Sequence, residues 1–544
     1  MQKSFYCSLL LLLSLLAAFS CCCCVLADDY TVYFEKGSYV VKQGYDLKGG
    51  IAAAHYDATF ESRGWDVLSL ETNGLVKDDM QAFGAGYLEG VITRQRIYNH
   101  YTNMYTYSWA DMPDRRMPGY VRDFFETQRN WMKEQSTKYA SDPFWQQIKT
   151  VYLQMEGLVQ GYNDATTNPN EKIDFASMQT ISSFGDIFDI LNVKKENRPQ
   201  FHKMTPQQIM TFVQENGHCS ALFKVTPDYS NIYFGHTSWF TFSAMTRIYK
   251  TYTFNFNNRL VASPTVTFSS YPANLASNDD FYVTKSGLVV IETSNNIFNT
   301  SLYDLVKPES LLCWQRVILA NRLASDAPEW SDIFSEYNSG TYNNQFMVLD
   351  TKKFTPGKSL NKNLFWVVEQ IPGKVYAADQ TEILSFGYWP SYNVPFYKEV
   401  FTISGYPEVL KKPNASDMLS YETCVRANIF RRDQSTVNSI DSMKRMLRYN
   451  NYQVDPLSLG NPGYAIASRN DLRPQSTNLN RSCSGGYDTK VSSIADIQTI
   501  HIINGPTYDN VPAFQWAGQC PSKFSHIGMK DNYRYDWMTV NWRK

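Results

Sequence analysis

Histidine is scarce in this chain, with seven among 544 residues, and neither sign of charge dominates: 51 Lys and Arg stand against 52 Asp and Glu, for a net charge of -1. No run of Lys or Arg exceeds two residues, so the basic footprint that a nucleic-acid partner needs is missing. The phosphate-cradling G-x-x-x-x-G-K-[ST] loop and the dinucleotide G-x-G-x-x-G turn are both absent, and no cofactor is expected. Neither H-E-x-x-H nor a paired C-x-x-C occurs, and no metal site is expected either. The G-x-S-x-G nucleophile elbow is missing, which weakens an ordinary α/β-hydrolase reading. The C-G-S-C-W signature of papain-type proteases is missing as well.

What is present begins with a leader. Residues 1–27 combine Lys3, an apolar run from Leu9 to Ala18 and small residues before an acidic start, the pattern of a secretory signal peptide cut after Ala27. Beyond it no segment offers the ~20 unbroken apolar residues of a bilayer span. Five cysteines remain after the leader, Cys219, Cys313, Cys424, Cys483 and Cys520, so at least one thiol stays unpaired in an oxidising compartment. Cys483 and Cys520 are the preferred disulfide pair, because both lie in the loop-rich C-terminal part, and Cys313, in a helical pattern, reads as a buried thiol. Asn299, Asn414 and Asn480 head N-x-[ST] sequons and are candidate glycosylation sites. The secretory pathway is therefore expected, with the lysosome or the exterior as destination.

Residues 28–544 exceed the ~250 to 300 that one core usually serves, so two cores or one large layered fold are expected. From Lys77 to Asp164 apolar residues recur every three or four positions, which predicts helices. From Cys219 onward short strand patterns take over, among them SALFKV, NIYFGHTSW, TYTFNF and QFMVLDTKKF, with one helix predicted at 311–324. FYVTKSGLVVIE predicts a hairpin that turns at Lys285, Ser286 and Gly287. The stretch 194–217, polar and Pro-containing at its start, reads as an exposed connector. Together these imply an α+β fold in which helical layers cover a sheet sandwich.

Cys219 opens the SALFKV strand directly after Asn216, Gly217 and His218, a tight-turn sequence. A cysteine there is ordinarily a small buried hydrophobe. The chemical alternative is that the peptide bond between His218 and Cys219 is cut, so that Cys219 becomes a new N-terminus whose own α-amine activates its thiol.

The strings NGHCSALFKV, GHTSW, MTRIYKTYTF, FSSYPANLASNDDFYVTKSGLVVIETS, SYNVPFY and RANIFRR closely resemble the phospholipase B-like family, over a stretch running from about Tyr30 to the C-terminus. That resemblance implies a four-layer αββα sandwich of the N-terminal nucleophile hydrolase type. It also implies autocleavage between His218 and Cys219 into an N-terminal fragment, 28–218, largely helical and ending in the connector, and a strand-rich C-terminal fragment, 219–544. The two would stay associated as one composite fold. By motif position Cys219 is the nucleophile, His236 and Trp239 of GHTSW line its pocket, Asn393 of SYNVPFY supplies an amide to the oxyanion, and Arg426 of RANIFRR supplies positive charge. Taken alone, each has a plainer role: His236 and Trp239 as packing, Asn393 as a turn residue, Arg426 as half of a surface ion pair.

The activity implied is removal of fatty acyl chains from glycerophospholipids. Amidase action on N-acyl lipids or small amides is the alternative, and a luminal lipid-binding glycoprotein with little turnover is a third reading. The implied partners are a lipid or amide substrate, the chain's own N-terminal fragment and, peripherally, a membrane surface.

Overall fold

The computed structural model describes residues 28–112, 114–216, 219–473, 482–518, 520 and 524–542. The leader, His218 and Asn480 lie outside the described residues. The strands are, in chain order, β1 (Asp28–Glu35), β2 (Ser38–Gln43), β3 (Ala52–Asp57), β4 (Trp65–Thr72), β5 (Ser220–Val225), β6 (Ile232–Thr241) and β7 (Arg247–Thr253). There follow β8 (Thr265–Ser270), β9 (Phe281–Thr284), β10 (Leu288–Ser294), β11 (Asn344–Asp350), β12 (Phe365–Ile371) and β13 (Lys374–Asp379). The last are β14 (Tyr388–Ser391), β15 (Ser484–Ser493), β16 (Thr499–Asn504), β17 (Phe514–Gln515), β18 (Asn532–Tyr533) and β19 (Met538–Asn541).

Two large sheets result, an 11-stranded one in the order β13-β12-β11-β10-β9-β8-β7-β4-β3-β1-β2 and a six-stranded one in the order β14-β5-β6-β15-β16-β19. Their pairings are antiparallel except β4 with β7, which run parallel because the helical half of the chain, β5 and β6 all intervene between them. β17 and β18 form a separate ladder.

The period of two along β5 shows how the layers arise. Ala221, Phe223 and Val225 enter a core shared with Trp65, Tyr249, Ile291 and Val367 of the larger sheet, while Leu222 points the other way, into a core with Met443, Met446 and Leu447. The opposite face of the larger sheet packs against helices. Cys313, Val317, Ala320 and Ala324, spaced four, three and four apart, bury one stripe of the helix Cys313–Leu323 and its end against Phe346 and Val348. Helices Asp78–Ile92 and Pro143–Asp164 approach each other closely through glycines: a Cβ on Gly86 would strike the Gln154 carbonyl and one on Gly157 the Phe83 carbonyl. The protein is thus a mixed α and β structure built on two sheets with a common core.

The helix at 311–324 and the hairpin at Lys285–Gly287 lie where the sequence places them, as Cys313–Leu323 and as β9–β10 with Gly287 at φ 89°. The stretch 194–217 differs from the connector expected of it. It carries the helix Pro206–Asn216, whose Ile209, Met210 and Val213 are buried in the core beneath the smaller sheet. Its polar beginning concealed an amphipathic end. β7 also starts earlier than TYTFNF, at Arg247, and stops at Thr253. The N-terminal part contributes four strands to the larger sheet, and the C-terminal part carries short helices such as Ala327–Ser335, Val425–Asp433 and Ile440–Leu447, too brief to leave a long periodic signature. None of the described helices is long and apolar enough to cross a membrane.

Candidate active site

Cys219 stands immediately before β5, 1 % exposed, with a backbone φ of 83°. A β-carbon makes that conformation unfavourable, at about 1 to 3 kcal/mol, unless the surroundings enforce it. Asp280, Tyr342 and Asn393 share the feature, with φ of 33°, 50° and 66°, and all three stand around the same site.

The strand register brings the neighbours together. β6 lies between β5 and β15, so His236 is paired with Ala221 on one side and with Lys490 on the other. β10, in the other sheet, supplies Glu292, whose Oε1 is 4.0 Å from Cys219 Sγ and accepts a hydrogen bond from the Tyr342 hydroxyl at 3.0 Å. Burial pushes the Glu292 carboxyl well above its ordinary range, and Asp280 adds to this, so it is a neutral acid able to donate as well as accept. Its Oε2 has no partner. Burial also drives His236 well below its usual value, with Lys490 reinforcing the effect and a hydrogen bond to the Glu292 main chain opposing it, which favours the neutral imidazole. The Cys219 thiol is pushed well up by burial and by Glu292, against the main-chain N–H of Trp239. Both effects favour the thiol over the thiolate.

Arg426 closes the other side. Its Nη1 donates to the Cys219 carbonyl at 2.7 Å and to Ser220 Oγ at 3.3 Å, and its Nη2 donates to the Tyr392 carbonyl at 2.7 Å and to Asn393 Oδ1 at 2.8 Å. The guanidinium lies 4.3 Å from the Trp239 ring centre, and desolvation lowers its pKa to about 10. All four of these acceptors are neutral, so a buried cation faces the backbone of the nucleophile. Asn393 Nδ2 donates to the Ser294 carbonyl at 2.8 Å. Trp239 Nε1 donates to the Ile466 carbonyl at 3.1 Å, which fixes the ring beneath Arg426.

Behind His236 lies a compensated charge cluster. Arg247 and Lys490 each contact both Asp279 and Asp488 at 2.6 to 3.1 Å. Burial alone would raise Asp279, but Arg247 and Lys490 hold it well below the usual carboxylate range.

Two cavities meet here. A small one of about 20 Å³, enough for a single water, is lined by Cys219, Trp239, Tyr271 and Asp279. A larger one of about 330 Å³ shares Gly185, Phe188 and Tyr342 with it. Gly185 is required at the junction, because a Cβ there would run into the Tyr342 ring.

The residues singled out in the sequence therefore fall into groups. Cys219, His236, Trp239, Asn393 and Arg426 converge. Cys483 and Cys520 are disulfide-bonded, while Cys219, Cys313 and Cys424 are free. Asn414 is exposed, whereas Asn299 is half-buried with its Nδ2 on the Ile403 carbonyl at 3.1 Å. Glu292, Tyr342 and the Arg247–Lys490 cluster went unremarked in the sequence. A glutamate inside the apolar strand LVVIETS was the available signal. Cys219, His236 and Glu292 place donor atoms within 4.8 Å of one another and could hold an ion such as zinc.

A family model described as Phospholipase B matches residues 52–540. The chain is 41 % identical over 511 residues to "Phospholipase B-like 1" of Rattus norvegicus, covering 92 % of this chain and 89 % of that one. It is 37 % identical over 520 residues to "Phospholipase B" of Crotalus adamanteus, covering 94 % and 92 %. It is 36 % identical over 515 residues to "Phospholipase B-like protein B" of Dictyostelium discoideum, covering 94 % and 89 %.

Proposed function

The chain belongs to the phospholipase B family, and from that premise we propose that it is an acyl hydrolase of glycerophospholipids, activated by autocleavage between His218 and Cys219. The observation that carries this reading is the convergence of Glu292, Arg426 and two cavities on a buried cysteine with a strained backbone. The fold it implies is the αββα sandwich of N-terminal nucleophile hydrolases, supported by a core shared between two sheets and helix-lined cores on their outer faces.

In the first step Cys219 Sγ attacks the His218 carbonyl carbon. A C–S bond forms, the C–N bond breaks, and the departing nitrogen takes the proton the thiol gave up. Water then opens the thioester, leaving a carboxylate on His218 and a free α-amine and thiol on Cys219. Relief of the Cys219 backbone conformation favours the step, and Arg426, bonded to the Cys219 carbonyl, holds the nucleophile's backbone in place. Fragments 28–218 and 219–544 would stay together, because β4 and β7 are paired along seven residues of the larger sheet.

In turnover the α-amine accepts the thiol proton, Sγ attacks the ester carbonyl, Glu292 protonates the leaving alcohol, and the protonated amine returns its proton to Glu292; water completes the cycle. A model α-amine titrates at ~7.7 to 8.0, and desolvation at so buried a position lowers it, which lets it serve as a base in an acidic compartment. Asn393 acts on the oxyanion once its bond to the Ser294 carbonyl is exchanged for one to substrate, and Glu292 supplies a proton to the leaving group. That last role also suits an amide, whose amine must leave protonated, so amidase action is the second reading. The leader, the disulfide and the exposed Asn414 support a secreted or lysosomal protein.

The test is product analysis on purified protein with diacylphosphatidylcholine and an N-acylethanolamine. Fatty acid with glycerophosphodiester supports the ester reading; fatty acid released only from the amide would replace it with the second.

A further inference from the structure

We infer that the larger cavity beside Cys219 is a receptor for a primary ammonium group, held by Asp189 with Asn343 and Asn295, so that amine-headed glycerophospholipids are preferred substrates. This rests on the phospholipid-hydrolase reading above.

Among the described residues Asp189 is the one acidic side chain lining the cavity, its carboxyl pushed up to about 7 by burial and so mostly ionised at pH 7.5, and no described lysine, arginine or histidine lines it. Arg198, which lies between the lining residues Asn197 and Pro199, is committed elsewhere: it pairs with Asp304 at 2.8 Å and donates to the Asn192 carbonyl at 2.8 Å. A cavity whose described lining holds an acid and no cation is a poor place for an anionic head group, whose phosphate then stays toward solvent.

Two described acceptors in the lining, Asp189 and the Asn343 amide oxygen, have capacity left for a donor. Asp189 Oδ2 accepts from the Tyr342 main-chain N–H at 2.8 Å and from Asn343 Nδ2 at 3.2 Å, and the Tyr303 hydroxyl also bonds the carboxylate, which offers about four acceptor positions in all. Asn343 Nδ2 is spent on Asp189 and on the Gly340 carbonyl at 2.9 Å, which fixes the orientation of the amide and leaves its Oδ1 without a partner at 3 % exposure. Asn295, 8 % exposed, has neither Oδ1 nor Nδ2 in a hydrogen bond and offers a ligand one acceptor beside one donor. Buried acceptors without donors are costly, and a ligand bearing N–H groups satisfies them. An ammonium brings three donors and a charge opposite to that of Asp189; a quaternary ammonium brings the charge alone. Tyr342 ties this receptor to the reaction, since its N–H bonds Asp189 and its hydroxyl bonds Glu292, 4.0 Å from the nucleophile.

Calorimetric titration of the wild-type protein at pH 7.5 with glycerophosphoethanolamine, glycerophosphocholine and N-acetylated glycerophosphoethanolamine separates these features without turnover. Binding should be at least about tenfold tighter for the ethanolamine compound than for its N-acetyl derivative, as loss of a charged hydrogen bond implies, with choline between them. Asp189→Asn should shrink that preference to within about twofold. Asn295→Leu, which breaks none of the hydrogen bonds described above, should weaken the ethanolamine compound several-fold and serves if Asp189→Asn does not fold. Equal binding of the three, binding of none, or a preference indifferent to both substitutions overturns the inference. Hydrolysis of phosphatidylethanolamine and its N-acetyl form is measured in parallel. Selective binding with no hydrolysis of either lipid leaves the receptor standing and removes the phospholipase reading; equal hydrolysis with unselective binding does the reverse.

Discussion

Cys219 and Cys313 are both free, both essentially without solvent exposure, and both have thiols pushed well above their ordinary range by burial. Burial and a raised thiol therefore identify nothing. Cys313 begins the helix Cys313–Leu323, donates its main-chain N–H to Asp186 Oδ1 at 3.1 Å, and packs among Val317, Ala320 and Phe346; it lines neither cavity of the site. Cys219 precedes a strand in a strained conformation, with an acid 4.0 Å from its sulfur, an arginine on its carbonyl and an empty volume beside it. The first environment packs a thiol into a core, and the second is the one in which the proposed nucleophile stands.

The sharpest break in the comparison comes from alanine at each position. Cys219→Ala should abolish both chain cleavage and lipid turnover, seen as an uncut band and no released fatty acid. Cys313→Ala should leave cleavage intact and cost about 1 to 2 kcal/mol of stability, the range for trimming a small buried side chain, measured by denaturant unfolding. If both stop cleavage, the contrast between the two thiols collapses.

Arg426→Met ranks next. It keeps the apolar stem over Trp239 but leaves the Cys219 and Tyr392 carbonyls without their donor, and cleavage should slow about 10² to 10³-fold, as loss of a preorganised donor does. A wild-type cleavage rate in this variant would mean that the arginine is a packing residue. Glu292→Gln preserves shape and the contact with Tyr342 while removing the transferable proton. Turnover should fall about 10²-fold with a changed pH profile; an unchanged profile would assign Glu292 to structure alone.

Legibility in the sequence followed locality. Cys219 drew notice because turn, cysteine and alternating strand are contiguous in ENGHCSALFKV, though its proposed role came from the family resemblance, and the disulfide partners share one loop-rich region. Glu292 was concealed because it occupies a position in FYVTKSGLVVIETS where a strand ordinarily presents a polar residue to water. Its partner Tyr342 comes fifty residues later and Cys219 from the other sheet. Asp189 lay hidden for the same reason, inside the amphipathic FGDIFDIL. The helix within 194–217 was missed because composition over the whole stretch outweighed a short periodic end. Contacts across sheets have no sequence period, so only the assembled structure shows them.

The smallest expected effect concerns pH and touches the fold around both thiols. Burial raises Asp186, beside Cys313, to about 6, and Glu369 to about 7. These folded-state values exceed the unfolded ones, so the native state binds more protons and stability falls as pH rises from about 4 toward 7, then levels off. The protein should melt several degrees higher at pH 5 than at pH 7.5, with a loss over that range of about 1.5 kcal/mol for Asp186 and about 2.5 kcal/mol for Glu369. Asp186→Asn should flatten that slope, and an equal melting temperature at both pH values would remove these carboxyls from the account.

The most direct measurement is intact mass and N-terminal sequencing of the purified full chain, beside Cys219→Ala. The account predicts a wild-type fragment whose first residue is Cys219, held with its N-terminal partner, and an uncut Cys219→Ala chain. A wild-type chain that stays whole after prolonged incubation at pH 5, or a cut that persists in Cys219→Ala, would contradict it.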